Sequence, residues 1–137
     1  MCAVSDGNHY QSRSIRENLF RALPSSAVAL SSGPSMHIPL IDFHCPFGRE
    51  NEELSACASK LLDPKGGYLL SSGQSYHFYG KSLLNEDELP AFLGRALLLS
   101  PIVDRSWVAH QLIEGACGLR ISARLPNGDV PRLVREV

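Results

Sequence analysis

The sequence has 137 residues, a formal net charge of −1, and apolar residues at 44% of its positions. This length fits a single domain, and the apolar content is too high for a disordered chain. The balanced charge argues against a protein that wraps long nucleic acid non-specifically, because such proteins carry a clear basic excess.

The cysteines and the apolar segments indicate the compartment of the protein. The four cysteines lie far apart without a C-x-x-C pair, which predicts free thiols in a reducing environment rather than a zinc or redox site. The most apolar segment, 92–103, is interrupted by Arg95 and Pro101, and no pattern of a signal peptide or membrane span is present. We therefore expect a cytoplasmic protein that does not enter membranes.

Residues 1–36 are interpreted as an N-terminal arm. Residues 14–23 have an amphipathic pattern that predicts one short helix, and residues 24–35 are rich in Ser with Pro and Gly, as is typical of a linker. We expect the arm to be loosely attached to a compact domain that covers residues 37–137.

The compact domain begins with an apolar run over 37–44, which predicts a buried strand. Apolar residues at helical spacing then predict a helix over 50–62, which the following Asp-Pro pair ends. The β-prone runs 68–71 and 76–79 are joined by Ser-Gly-Gln-Ser, and this arrangement predicts a hairpin.

Two further helices are predicted from their end signals. Asn85 and Glu88 have the spacing of a capping box, and an apolar stripe follows them. Asp104 has the position of an N-cap for a third helix, which Gly115 would end.

Residues 117–123 predict another strand, and the tail predicts a turn and an edge strand in which Arg132 and Arg135 are exposed. The complete order is strand, helix, strand, strand, helix, helix, strand. It predicts an α+β fold, a two-layer sandwich in which a mixed sheet is covered by helices on one side.

The predicted hairpin loop has the chemistry of a phosphate site. Ser72, Gly73 and Ser75 combine hydroxyls with backbone N–H groups at a Gly turn, and His77 adds an imidazole directly after them. A second group, Asp42 and His44, lies at the end of the first strand, where alternation places both side chains on one face. That pair has the ligand types for a metal ion.

These two motifs also resemble those of a known family. Over about 37–123 the sequence resembles the archaeo-eukaryotic primase superfamily, in particular its small primase 1D-like branch. In that superfamily an apolar strand ends in an acid-x-acid pair, an S-x-H hairpin holds the incoming triphosphate, and a later strand supplies a third acid. LIDFH (40–44), SSGQSYHFYG (71–80) and GLRIS (118–122) stand at these three motifs.

The resemblance implies a sheet of the RNA-recognition-motif (RRM) type and a role for each matching residue. It implies a divalent Mg or Mn ion at Asp42 and His44, and a nucleoside triphosphate held by the S-x-H hairpin. It implies nucleotidyl transfer in which Arg120 offsets developing charge. The implied phosphate-binding residues are Ser72, Gly73, Ser75, His77 and Ser122. His44 replaces the second acid, and residues 118–123 contain no third acid, so the acidic site is degenerate.

Other interpretations stay open at this point. The chain is alternatively a catalytically inactive nucleic-acid or protein interaction module, or a metal-dependent phosphodiesterase or nuclease using Asp42, His44 and His77. The Ser-Gly loop is on its own most often only a turn. His110 is a second-tier candidate because it follows Trp107, a predicted core residue, by one helical turn. The implied partner is nucleotide or nucleic acid, and membership of a replication, repair or defence assembly is open.

Overall fold

The computed structural model describes residues 25–28, 33–119 and 130–137. In chain order these residues form β1 (Ala27–Val28), β2 (Met36–His37), β3 (Leu40–Asp42), α1 (Arg49–Leu62), β4 (Gly67–Ser71), β5 (Tyr76–Gly80), α2 (Glu88–Leu97), α3 (Arg105–Glu114) and β6 (Arg132–Glu136). The predicted N-terminal helix and most of the predicted 117–123 strand lie outside the described residues.

The main sheet has four strands in the order β3-β5-β4-β6, and β1 pairs with β2 separately. This arrangement, with three helices, confirms the α+β two-layer class. The expected mixed sheet needs correction, because each strand pair within the described ranges is antiparallel. Strands β3 and β6 each run opposite to the hairpin strand that they flank. In the described part of the 117–123 strand, Gly118 forms only an isolated bridge, with Ser25.

The core lies on one face of this sheet. Ile41, Phe78 and Leu69 lie side by side on β3, β5 and β4, and none of them is exposed to solvent. Helix α1 contacts β4 and β5, α2 contacts α1 and α3, and α3 contacts β3. Burial of this continuous apolar row against the helices supplies the main driving force for folding.

The helix ends follow the local signals. Asn85 and Glu88 form the reciprocal capping box, in which each backbone N–H donates to the other side chain at 2.8 and 2.9 Å. The Asp104 carboxylate accepts from the N–H groups of Ser106 and Trp107, and Gly115 ends α3 at a φ of 69°. The predicted caps and helix boundaries are therefore confirmed.

The segment that we interpreted as a linker is partly tied to the domain. Ser26 is 1% exposed, and its N–H donates to the Cys117 carbonyl at 2.7 Å. Its hydroxyl accepts from the Cys117 N–H and lies 3.0 Å from Nδ1 of His37. Residues 25–28 are therefore anchored, contrary to a loose attachment, because they satisfy buried polar groups of two distant segments.

The burial of Cys117 yields a prediction. Burial raises the pKa of its thiol from 9.0 to about 12, so we expect Cys117 to resist alkylation in the folded protein, while exposed Cys57 reacts. Above pH 9.0 the Cys117 thiol of the unfolded chain loses its proton, whereas the thiol in the folded state keeps it. The free energy of unfolding should therefore fall as the pH rises from 9 towards 12.

Peptide mapping after alkylation, and urea denaturation on either side of pH 9.0, measure both effects. Cys117→Ala is the control, because it removes this contribution and leaves the pH dependence of the other groups. Equal labelling of Cys57 and Cys117, or identical pH dependence of the two proteins, would contradict the prediction.

The tail forms the predicted edge strand, but its two arginines differ. Arg132 is exposed as expected. Arg135 is half-buried and lies 3.7 and 3.0 Å from carboxylates of Glu52 and Glu53 on α1, which corrects the expectation of exposure. The reason is the register, which places Arg135 opposite buried Leu69 on the face that α1 covers. None of the helices in the described ranges has the length and apolarity to cross a membrane.

Candidate functional site

The structure brings together Asp42 and His77, one residue from each of the two predicted motifs. They are directly paired across β3 and β5, and Asp42 Oδ1 lies 3.4 Å from His77 Nε2. The His77 side chain is 7% exposed and that of Asp42 is 28% exposed. The carboxylate therefore has access to solvent and contacts a buried imidazole, so it can orient the ring.

His44 belongs to a second carboxylate–imidazole pair. Strand β3 ends at Asp42, and His44 lies beyond it with its N–H donating to the Ile102 carbonyl at 2.6 Å. Its Nδ1 is 3.8 Å from Asp104 Oδ2, and its side chain is 77% exposed. His44 thus lies beside Asp104 at the end of β3.

Asp104 is a candidate site residue that our sequence reasoning did not identify. Its backbone N–H donates to the Asp42 carbonyl at 2.9 Å, which makes the two acids neighbours. One carboxylate oxygen caps α3 and the other faces His44. The available signal was the run Ile102-Val103-Asp104, an apolar pair followed by an acid, like the end of β3. The N-cap position already explained this acid, so nothing in the sequence indicated a place beside His44.

The predicted phosphate loop is stabilised by its own polar groups. The Gly73 N–H donates to the Ser71 hydroxyl at 3.2 Å, and the Ser75 N–H donates to the Ser72 hydroxyl at the same distance. Gly73 has a φ of 92°, a left-handed conformation that suits Gly. These amides would have to exchange their partners before they could hold a phosphate.

Ser75 joins the hairpin loop to the chain after β3. Its hydroxyl donates to the Phe43 carbonyl at 2.7 Å and accepts from the Cys45 N–H at 3.1 Å. Removing it would leave both partly buried backbone groups without this partner.

We therefore expect Ser75→Ala to lower the free energy of unfolding by about 2 kcal/mol. Urea denaturation checks this value, with Ser106→Ala as the control at an exposed serine. A Ser75→Ala protein as stable as the wild type would show that these two hydrogen bonds do not stabilise the fold.

The remaining predicted site residues are Arg120, Ser122 and His110. Arg120 and Ser122 lie outside the described residues. His110 is exposed on α3, and Trp107 is half-buried with its indole N–H donating to the Gly118 carbonyl at 3.0 Å. Trp107 is therefore a packing residue, as predicted.

An open pocket of about 380 Å³ lies next to the second pair. Its lining residues are His44, Ser100, Pro101, Val103, Asp104, Arg105 and Ser106. The exposed Arg105 guanidinium and the His44 ring offer donors to an anion there, while Asp104 supplies a carboxylate. The surface at the end of β3 therefore combines both signs of charge.

The side chains do not form a metal cage by themselves. No group of three or more His, Cys, Asp or Glu side chains in the described ranges is arranged to hold a metal ion. Mg²⁺, however, is commonly bound by one or two carboxylates together with the phosphates of the substrate. A metal that arrived with a nucleotide would have the carboxylates of Asp42 and Asp104, whose backbones are hydrogen-bonded to each other, as its candidate protein ligands.

Comparison with known proteins gives the family. No curated protein and no solved structure matches the chain significantly. The family model described as archaeo-eukaryotic primase 1D-like matches residues 8–129, which is most of the chain and includes much of the N-terminal arm. The chain therefore belongs to the archaeo-eukaryotic primase 1D-like family.

Proposed function

We propose that this primase-like domain binds the phosphates of a nucleoside triphosphate or nucleic acid at the end of β3 and the start of β5. The observation that carries the proposal is the 3.4 Å approach of Asp42 to His77 across paired strands. It joins the acid of the first motif to the imidazole of the S-x-H motif. Nδ1 of His77 is buried, so the proposed donor to a phosphate oxygen is Nε2, the nitrogen that faces Asp42.

The proposed roles follow the chemistry of each side chain. Nε2 of His77 is proposed to donate to the triphosphate, and Asp42 is proposed to orient His77 and to offer a carboxylate oxygen to a metal. His44 and Asp104 extend the site on the other side of Asp42. A divalent Mg or Mn ion bound with the nucleotide would neutralise phosphate charge and polarise the phosphoryl group.

The proposed reaction class, if the domain is active, is nucleotidyl transfer to a 3′-hydroxyl. Ser72, Gly73, Ser75 and Ser122 are the further proposed phosphate-binding residues, and Arg120 is proposed to offset developing charge. In-line transfer depends on positioning and electrostatics, so these groups would act by holding the triphosphate rather than by covalent chemistry.

A second candidate is a binding module without catalysis. Two observations favour it: the loop amides of Gly73 and Ser75 are already hydrogen-bonded within the hairpin, and His44 stands at the position of a second acid. Such a module would bind nucleic acid or a protein of a replication, repair or defence assembly through the same surface.

Calorimetric titration of the full chain with a nucleoside triphosphate tests the proposal, with Mn²⁺ and with a chelator. We expect saturable binding that Mn²⁺ strengthens and that His77→Gln weakens at least about ten-fold, since a charge-assisted contact is lost. Primer extension assays on the same proteins separate the catalytic form from the binding module. No triphosphate binding by the wild type, or equal binding by His77→Gln, would refute the proposal.

A further inference from the structure

A second pocket lies on the face of the sheet opposite to the Asp42–His77 pair. It is open, has a volume of about 350 Å³ and is lined by Phe47, Ser71, Gly73, Val130, Arg132 and Val134. We call it the outer pocket. Phe47, on one wall of this pocket, packs against Tyr76. Tyr76 and His77 are consecutive on β5, so their side chains point to opposite faces of the sheet. Its volume lies in the range of pockets that bind small molecules.

Phe47 provides a fixed aromatic surface in this pocket. Its side chain is 60% exposed, and its ring stacks on Tyr76 with centroids 5.6 Å apart and an interplanar angle of 24°. Tyr76 is fully buried and its hydroxyl is hydrogen-bonded to both the N–H and the carbonyl of Gly48 at 3.0 Å. The Phe47 N–H donates to the Gln74 carbonyl at 3.1 Å, so both backbone and ring are held.

Arg132 provides a cation beside this ring. It is exposed at the start of β6, where it is paired with Ser71 of β4. Arg135 on the same strand is neutralised by Glu52 and Glu53, whereas Arg132 takes part in no ion pair within the described ranges. A guanidinium with donors available therefore borders the aromatic surface.

We infer that the outer pocket binds one nucleotide unit of single-stranded nucleic acid, with the base stacked on Phe47 and a phosphate on Arg132. Every base has a π-face that can stack on an aromatic ring, and a planar guanidinium matches phosphate oxygens. The valines and the Ser71–Gly73 turn would enclose the base edge and sugar. The inference rests on the proposed function, from which it takes nucleotides as the class of ligand. It adds a single strand of nucleic acid as a second ligand.

Fluorescence anisotropy with a short labelled oligodeoxythymidylate tests this inference on the full chain. We expect Phe47→Ala to weaken binding roughly ten-fold or more through the lost base stack, and Phe47→Leu to weaken it less. Arg132→Ala should lower the slope of log K against log salt by about 0.7, while Arg132→Lys keeps the slope. Leu98→Ala and Arg95→Ala, at exposed positions outside the outer pocket, are the matched controls.

Triphosphate titration on the same variants separates the two sites. The inference predicts that Phe47→Ala and Arg132→Ala bind the triphosphate as the wild type does. Oligonucleotide binding that both outer-pocket variants weaken, in a protein that binds no triphosphate, would refute the proposed triphosphate site but support the outer pocket. Triphosphate binding with no oligonucleotide binding, or with oligonucleotide affinity unaffected by both outer-pocket variants, would overturn the inference.

Discussion

Replacing Asp42 with Asn is expected to weaken binding of a nucleoside triphosphate with Mn²⁺ by about 100-fold. The change keeps the shape of the side chain but removes the charge that faces His77 at 3.4 Å. It would also remove an oxygen ligand for the metal, so the loss should be greater with Mn²⁺ than with a chelator. Calorimetry under both conditions measures this difference.

Asp87→Asn is the matched control, because Asp87 is exposed at the start of α2 and its side chain does not cap the helix. The melting temperature of each variant shows whether the fold is kept. Equal triphosphate affinity of Asp42→Asn and the wild type would remove Asp42 from the site. An equal loss with and without Mn²⁺ would limit Asp42 to orienting His77.

Phe78→Ala is expected to have the largest effect on stability, with a loss of about 4 kcal/mol in the free energy of unfolding. Phe78 lies between Ile41 and Leu69 in the central row of the sheet and is fully buried. Truncation would remove its apolar surface and leave a cavity that the two flanking strands cannot close without losing their register.

Urea denaturation measures this loss, and Leu98→Ala is the control. Leu98 is 83% exposed, so its truncation should change stability by less than about 0.5 kcal/mol. Similar midpoints for the two variants would contradict the placement of Phe78 at the centre of the core.

The parts of the fold that the sequence predicted depend on signals within a few residues. The capping box of Asn85 and Glu88, the cap at Asp104 and the left-handed Gly115 each act within one turn of a helix. Strand alternation and a Gly turn likewise indicated the hairpin, because both are local properties of the chain.

The parts that the sequence did not predict depend on distant contacts. Ser26 hydrogen-bonds to Cys117 across 91 positions, and no local pattern indicates that pairing. Arg135 was expected in solvent because the register of β6, with its irregularity between Leu69 and Leu70, was not predictable. Side-chain charge alone could not show which acids lie beside it.

The candidate site divides in the same way. Asp42 and His77 were predicted from two motifs, but their contact depends on the register between β3 and β5. Asp104 was recognised only as a helix cap. An acid that caps a helix and an acid that belongs to a functional site cannot be distinguished from the sequence alone. Its proximity to His44 and Asp42 results from the bridge that joins Phe43 to Val103.

The central claim is that the Asp42–His77 pair contacts the phosphates of a nucleotide. Nuclear magnetic resonance of the imidazole groups, during titration with a non-hydrolysable nucleoside triphosphate and Mg²⁺, tests it most directly. We predict that the ring resonances of His77 shift in proportion to saturation. Those of His37, which is buried beside Ser26, should stay unchanged. Saturable nucleotide binding with unchanged His77 resonances, or no nucleotide binding, would contradict the claim.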